Sequence, residues 1–145
     1  MTAPRNPIID SLKECANRIL SSYPIEFAYL FGSVATGKEA WWSDIDLVVS
    51  WPSFPTMSSK EQYESLGKLA VELEETTGSR DIDLKIWQMV PIRVQFQILR
   101  DGILLADQNP EARHKAKEDV LLKYPDHMIW FNRYLAEAKD HGRLS

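Results

Sequence analysis

The sequence predicts a single α/β domain with a helical tail at its C-terminal end. Segments with the apolar spacing of amphipathic helices alternate along the chain with short apolar segments that are typical of strands. A chain of 145 residues is long enough for one hydrophobic core and too short for two. We therefore expect residues 1–108 to form the core of the domain and residues 109–145 to be a helical extension of it.

The composition excludes several classes of protein. The net charge of −4 argues against stable binding to nucleic acid, because proteins with that function usually present a basic face. Cys15 is the single cysteine, so no disulfide or cysteine-based metal site is expected, and its place on the apolar side of a helix predicts burial. No apolar run suits a membrane span and the first residues do not suit a signal peptide, so we expect a cytoplasmic protein.

The first half of the chain predicts one helix and two strands. Residues 7–22 carry apolar side chains at helical spacing, and Pro24 ends that helix. The segment 25–31, IEFAYLF, is apolar enough for a central strand, and the segment 44–51, DIDLVVSW, predicts a second strand. A short helix is expected between the two strands.

A longer helix and a third strand follow. Ser58 and Glu61 match a capping box, in which two side chains satisfy backbone N–H groups at a helix start, and they predict a helix over residues 58–76. The expected apolar stripe of this helix consists of Tyr63, Leu66, Ala70 and Leu73. Gly78 is expected to end the helix, and residues 80–87, RDIDLKIW, predict the third strand.

Residues 91–100, PIRVQFQILR, fit two secondary structures. The residues that alternate as in a strand are Ile92, Val94, Phe96 and Ile98. Pro91, however, suits the first position of a helix that ends at Gly102, and we favour the helix. The remaining predicted elements are a short strand at 103–106 and a helix that opens at Asn109, is interrupted at Pro125 and resumes over 126–139.

Residues 30–50 contain two signatures of phosphate chemistry. Gly32 to Lys38 reads GxxxxGK, which is close to the loop that holds phosphates in P-loop NTPases. That loop requires a serine or threonine at the next position, where this chain has Glu39. It must also open a long helix, for which there is no room before the strand that begins at Asp44. We therefore reject the P-loop interpretation.

The second signature is Gly32-Ser33, ten further residues, and then Asp44-Ile45-Asp46. Side chains alternate along a strand, so Asp44 and Asp46 point to the same face, about 7 Å apart at their Cα atoms. Two carboxylates in this arrangement can share a pair of Mg²⁺ ions ~4 Å apart, which is the geometry of in-line phosphoryl and nucleotidyl transfer. The pattern therefore predicts a two-metal site.

A third carboxylate is needed to complete the metal nearer to the attacking hydroxyl. The strand at 80–87 supplies Asp81 and Asp83, again on one face. We choose Asp83, because Asp81 lies at the mouth of the strand, where an exposed and solvated carboxylate is the more common finding.

Small residues beside the aspartates suit the phosphates of a nucleotide. Gly32 has no side chain and lets the backbone approach a phosphate closely. Ser33 offers a hydroxyl and an amide at a helix start, where the dipole favours anions. Ser43 is a further candidate for nucleotide binding, and an ordinary turn serine is an equally good interpretation of it.

These residues resemble the hallmark of the DNA polymerase β nucleotidyltransferase superfamily. The segments FAYLFGS, DIDL and ILRDGILL are further similar to the minimal nucleotidyltransferases (MNT) that are antitoxins of HEPN/MNT toxin–antitoxin pairs. The resemblance covers essentially the whole chain. It implies the polymerase-β-type nucleotidyltransferase fold, which is a mixed β-sheet flanked by helices, here with a C-terminal helical tail.

The resemblance also implies an activity. Antitoxins of this family use ATP and Mg²⁺ to transfer one or more AMP units to a tyrosine of the partner HEPN ribonuclease toxin, which silences the toxin. Carried over to this chain, Asp44 and Asp46 would bind both metal ions and Asp83 would complete the ion that activates the tyrosine hydroxyl. Gly32 and Ser33 would hold the triphosphate.

The chain departs from the family pattern at Thr36, where many relatives have arginine. A threonine cannot supply that positive charge to a phosphate, so the affinity for ATP is the property that this difference affects. Lys38 and Arg80 are candidates to replace the missing charge.

Two other functions fit the same residues. One is transfer of a nucleotide to a small molecule, as in aminoglycoside-modifying relatives, although 145 residues leave little room for an acceptor pocket. The other is a non-catalytic antitoxin that neutralises its partner by binding alone, and the presence of all three carboxylates argues against it.

The remaining conspicuous residues are aromatic or histidine. Trp51 and Trp87 are expected in the core, whereas Trp41 and Trp42 suit either a hydrophobic lid or a contact with adenine or a partner protein. The tail segment HMIWFNRYLAEAK suits packing on the domain, and an aromatic face for a helical partner is the alternative. The three histidines, expected at the surface, are His114, His127 and His141.

Overall fold

The computed structural model describes residues 7–32, 45–77 and 81–123, together with the helical positions 133 and 136. The helices are α1 (Pro7–Leu20), α2 (Ser59–Thr77), α3 (Ile92–Asp101) and α4 (Pro110–Lys123). The strands are β1 (Phe27–Phe31), β2 (Ile45–Val49), β3 (Ile82–Ile86) and β4 (Ile103–Asp107). Two short 3-10 turns, Phe54–Thr56 and Trp87–Met89, follow β2 and β3.

The four strands form one mixed sheet in the order β3-β2-β1-β4. β1 is antiparallel to both of its neighbours, β2 and β4, whereas β2 and β3 are parallel. The parallel pair is possible because α2 lies between β2 and β3 in the chain and provides the crossover connection. The prediction of an α/β fold with a mixed sheet flanked by helices is confirmed.

The alternation of side chains along the strands divides the core into two layers. The layer against α1 and α2 includes the strand residues Ala28, Leu30, Leu47, Val49 and Leu84. The layer against α3 and α4 includes Phe27, Tyr29, Val48, Phe96 and Val120. The sheet is thus covered on both faces, and we name these the α1/α2 face and the α3/α4 face.

Several predictions about single residues are confirmed in this core. Cys15 is buried in α1, and its Sγ lies 3.7 Å from the carbonyl oxygen of Leu12. Trp51 and Trp87 are buried as well, and His114 is exposed. No helix among the described residues is long and apolar enough to cross a membrane.

The start of α2 confirms the capping pair and corrects the apolar stripe. The Glu61 N–H donates to Ser58 Oγ at 3.2 Å, and the Ser58 hydroxyl donates to the Glu61 carboxylate at 3.2 Å. Tyr63, predicted to pack inward, is 83% exposed. Leu69, which the predicted stripe did not include, is fully buried and lies one helical turn before the buried Leu73. The side of α2 that faces the core therefore carries Leu69 and Leu73, whereas Tyr63 points to solvent.

The ambiguous segment 91–100 is helical, as favoured. Pro91 precedes α3 as its N-cap rather than occupying the first helical position, and Gly102 is the residue at which the helix ends. The helix places Ile92, Phe96 and Leu99 on one surface, at i, i+4 and i+7, and all three pack in the core of the α3/α4 face.

The predicted elements in the rest of the chain are confirmed as far as they are described. The strand at 103–106 is β4, and the helix that opens at Asn109 is α4, where Asn109 Oδ1 accepts a hydrogen bond from the Ala112 N–H at 3.1 Å. Predictions that lie outside the described residues concern the short helix after Gly32, the stop at Gly78 and the interruption at Pro125. The predictions for Trp41, Trp42, His127, His141 and the aromatic residues of the tail also lie outside the described residues. The division of the chain into a core at 1–108 and a helical extension at 109–145 stays a prediction.

Candidate functional site

Two of the three candidate carboxylates, Asp46 and Asp83, lie side by side at one end of the sheet, on the α3/α4 face. Asp46 lies in the central strand β2, where it is the register partner of Phe31 in β1 and of Asp83 in β3. Neighbouring strands are about 4.8 Å apart, so Asp46 and Asp83 are side by side. Both alternate with buried residues of the α1/α2 face, which places the two carboxylates on the same side of the sheet.

The register supports the choice of Asp83 over Asp81. Asp81 is exposed and precedes β3, and its carbonyl oxygen accepts a hydrogen bond from the Ile45 N–H at 3.1 Å. It is therefore one step outside the row that contains Asp46. Asp83 as the third ligand remains a prediction, and Asp44, Ser33 and Ser43 lie outside the described residues.

Gly32 suits its position beside Asp46 for two reasons, its backbone conformation and its lack of a side chain. Its φ angle is +81°, in the left-handed region that favours glycine. A Cβ atom at this position would collide with Oδ2 of Asp46 and would lie 3.3 Å from Asp46 Cγ. Gly32 therefore makes room for the Asp46 carboxylate, which is a function that the sequence pattern did not reveal. Phosphate binding by its amide remains a prediction.

The edge strand β3 is tied to the rest of the domain near its first residue. The Ile82 N–H donates to Oε1 of Glu74 in α2 at 3.2 Å. Because Ile82 immediately precedes Asp83, this hydrogen bond helps to fix the start of β3 against α2. Glu74 was not singled out from the sequence, because its place in the acidic helix segment ELEE gives no signal for this contact.

Lys85 is a second residue of the site that sequence reasoning missed. Its Nζ lies 3.4 Å from Oδ2 of Asp83, and the two side chains are 44% and 49% exposed. The available signal was the alternation in DIDLK, which places Asp81, Asp83 and Lys85 on one face of a strand.

An apolar groove runs along β3 and is lined in part by Lys85. It has a volume of about 610 Å³ and lies between the first turns of α2 and α3, along β3. Its lining includes Tyr63, Lys85, Ile86, Met89 and Val94. Tyr63 and Met89 are 83% and 55% exposed, so the groove has an aromatic and apolar rim.

The residues present fit a divalent magnesium ion. Asp46 and Asp83 offer carboxylate oxygens, the ligands that Mg²⁺ prefers, from adjacent strands on one side of the sheet. The ammonium group against Asp83 shows that a cation reaches this carboxylate from the open side. Among the described residues no group of three metal-binding side chains occurs. The predicted third member, Asp44, is not one of those residues.

A comparison with protein families finds one that covers most of the chain. The sequence profile of the family "Polymerase beta, Nucleotidyltransferase" matches residues 14–111, a range that contains Gly32, Asp46 and Asp83. The chain has no significant match among curated proteins.

Solved structures of toxin–antitoxin complexes share the fold. A chain of a toxin–antitoxin crystal structure with AMP-PNP superposes with a TM-score of 0.63 at 19% identity, covering 88% of this chain and 98% of that one. A chain of the MntA-HepT toxin–antitoxin has a TM-score of 0.58 at 17% identity, with 90% and 98% covered. A chain of the tri-AMPylated Shewanella oneidensis HEPN toxin in complex with MNT antitoxin has a TM-score of 0.59 at 17% identity, with 90% and 98% covered. At these identities the likeness concerns the fold.

Proposed function

Because the chain belongs to the polymerase beta nucleotidyltransferase family, we propose that it is a magnesium-dependent protein adenylyltransferase that acts as an antitoxin. Its substrate is ATP, and its acceptor is a tyrosine of a cognate HEPN ribonuclease toxin. The observation that carries the proposal is the row formed by Asp46 and Asp83, with Gly32 packed against the Asp46 carboxylate. The structures that share this fold include complexes with HEPN toxin and with AMP-PNP, which supports both the partner and the nucleotide.

Each residue has a place in the proposed reaction. Asp44 and Asp46 would hold the two Mg²⁺ ions, and Asp83 would complete the ion nearer to the acceptor. When bound, these ions neutralise the charge of the triphosphate and lower the pKa of the acceptor hydroxyl. Gly32 and Ser33 bind the phosphates through their amides and the Ser33 hydroxyl, and Ser43 is a further phosphate contact.

The transfer itself is an in-line displacement at the α-phosphorus of ATP. The phenol oxygen of the acceptor tyrosine forms a bond to that phosphorus, and the bond to the bridging oxygen breaks, so that pyrophosphate leaves. The phenolic proton passes to solvent or to a carboxylate of the site. Asp83 is half exposed at the edge of the sheet, so it lies on the side from which an acceptor can approach.

The surface beside Asp83 favours a polypeptide acceptor over a small molecule. The groove along β3 is open and has an apolar and aromatic rim, which suits the side chains of another protein. An aminoglycoside is polycationic and would require a pocket lined by carboxylates, whereas the charged residue at this groove is Lys85.

The test is intact-mass spectrometry of the cognate HEPN protein after incubation with this chain, ATP and Mg²⁺. We expect mass gains in AMP-sized steps. An Asp46→Asn variant should reduce the rate by at least about 10²-fold, since loss of a metal ligand costs several kcal/mol of transition-state stabilisation. The matched control is Glu118→Gln, which removes an exposed carboxylate from α4 and should keep the wild-type rate.

The outcomes separate the alternative functions. Unmodified HEPN protein that nevertheless co-elutes with this chain would indicate neutralisation by binding alone. Adenylylation of an aminoglycoside in a parallel reaction, without any change in the HEPN protein, would indicate a small-molecule nucleotidyltransferase.

A further inference from the structure

Lys85 is anchored so that its charged end lies at the candidate metal site. It projects from β3 on the same face as Asp83, opposite the buried residues Ile82, Leu84 and Ile86. Its side chain also lines the apolar groove, beside Met89 and Val90. A lysine in such a position packs its aliphatic stem against apolar atoms and keeps its ammonium at the polar rim. Here the ammonium group lies against the carboxylate of Asp83.

The contact between Lys85 and Asp83 is electrostatic and easily exchanged. The distance of 3.4 Å from Nζ to Oδ2 exceeds the ~2.7–2.9 Å of a well-formed charged hydrogen bond. Both side chains are about half exposed, and ion pairs of this kind contribute little to stability. The ion pairs Lys60–Glu64, Arg100–Asp101 and Arg113–Asp107 lie elsewhere on the molecule, whereas Lys85 contacts a predicted metal ligand.

The position of Asp83 explains why a cation is useful there. Asp46 and Asp83 are direct register partners on neighbouring strands, and like charges in such a pair repel each other. Lys85 follows Asp83 by two residues in β3, and its register partner in β2 is the fully buried Val48. Because the Lys85 ammonium lies against Asp83, its positive charge offsets the repulsion between the Asp83 and Asp46 carboxylates.

We propose that Lys85 is a positioning residue that holds the Asp83 carboxylate in the metal-free site and competes with the divalent metal ion for it. The proposal rests on the proposed function, since it requires Asp83 to be a metal ligand. The Lys85 ammonium lies against Oδ2 of Asp83, and the second carboxylate oxygen can still bind a metal ion. The positive charge of Lys85 therefore opposes binding of the divalent ion at this carboxylate, and this opposition lowers the metal affinity of the site.

The experiment is a titration of the full chain with Mn²⁺ alone, in which the electron paramagnetic resonance signal of free Mn²⁺ reports binding. Lys85→Met should tighten Mn²⁺ binding about three- to tenfold, because it removes a positive charge a few ångströms from the bound ion. Lys85→Arg keeps the charge and should retain the wild-type affinity. The matched control is Lys60→Met, which removes the same charge from an exposed pair on α2 and should have no effect.

A second readout follows from linkage between metal binding and folding. At one saturating Mn²⁺ concentration the melting temperature of Lys85→Met should rise more than that of the wild type, since a ligand stabilises the folded state by RT ln(1 + [L]/Kd), which increases as Kd falls. Without metal, Lys85→Met should melt slightly lower than the wild type, because the carboxylate repulsion is no longer offset. A residue that only supports the strand would lower the melting temperature equally in both conditions.

An Asp83→Asn variant in the same titration separates failure of this proposal from failure of the metal-site assignment. If Asp83→Asn weakens Mn²⁺ binding and Lys85→Met binds like the wild type, the role of Lys85 is refuted and the assignment of Asp83 stands. If Asp83→Asn binds like the wild type, both the assignment of Asp83 and the role of Lys85 are wrong. Transfer of AMP is measured separately on the HEPN protein, so it can fail without affecting this result.

Discussion

Alanine in place of Gly32 should displace the Asp46 carboxylate and disable the site without unfolding the protein. The backbone of Gly32 is left-handed, with φ of +81°, and an L-residue pays roughly 1–2 kcal/mol in that region. The new Cβ would also collide with Asp46 Oδ2, so the Asp46 side chain must leave its rotamer at a cost of about 0.5–1.5 kcal/mol. The expected loss in free energy of unfolding is therefore about 1.5–3.5 kcal/mol, which a typical stability of ~5–15 kcal/mol tolerates.

The loss of activity should be larger than the loss of stability suggests. A displacement of about 1 Å at a catalytic group can reduce a rate by ~10²-fold. We therefore expect Gly32→Ala to transfer AMP to the HEPN protein at about one hundredth of the wild-type rate or less. Urea unfolding followed by circular dichroism gives the stability, and intact-mass spectrometry over time gives the rate.

Two other glycines provide matched controls. Gly67 lies in α2 with no atom within 4 Å of a Cβ built on it, so Gly67→Ala should stabilise the protein by up to about 1 kcal/mol and keep full activity. At Gly102, a Cβ would lie 2.5 Å from the carbonyl oxygen of Ile98, so Gly102→Ala should destabilise the fold without touching Asp46. Wild-type transfer by Gly32→Ala, or equal losses in Gly32→Ala and Gly102→Ala, would refute the reasoning.

Three further measurements test the fold. Leu69→Ala removes a fully buried side chain and should lower the free energy of unfolding by about 2–5 kcal/mol, whereas Tyr63→Ala, at a position 83% exposed, should change it by less than about 0.5 kcal/mol in the same urea titration. Burial raises the pKa of the Cys15 thiol, so iodoacetamide should modify Cys15 much more slowly in the native protein than in urea, and rapid native labelling would contradict its burial. Burial and the Glu72 carboxylate raise the pKa of Tyr23 from 10.0 to about 12, so stability that is fully present below pH 10.0 should be lost as the pH rises toward about 12. The Tyr23→Phe variant should lose less stability than the wild type over that pH range. If it loses the same amount, groups other than Tyr23 cause the loss.

Local patterns in the sequence were enough to predict most of the described secondary structure and the family of the protein. Local rules were sufficient for α2, where the Ser58–Glu61 pair caps the helix as expected, and for the strands, whose bounds agree within a few residues. The Gly-Ser and Asp-x-Asp pattern was sufficient to favour a nucleotidyltransferase over a P-loop protein, because both interpretations make local demands on neighbouring residues, and the family profile agrees. The two-metal site stays a prediction. The apolar periodicity of α2 wrongly predicted that Tyr63 is buried. Which face of a helix is buried depends on the element that packs against it.

Which side chains of different strands lie next to each other became clear from the sheet register alone. The register between β2 and β3 places Asp83, and not Asp81, beside Asp46, and this pairing joins residues 37 positions apart in the chain. The packing of Gly32 against the Asp46 carboxylate and the placement of Lys85 between Asp83 and the groove depend on the same sheet order. Spacing within one strand can be read from the sequence, because the strand itself has a fixed period. Contacts between strands depend on how the whole chain packs, and that is decided by the core that the strands share.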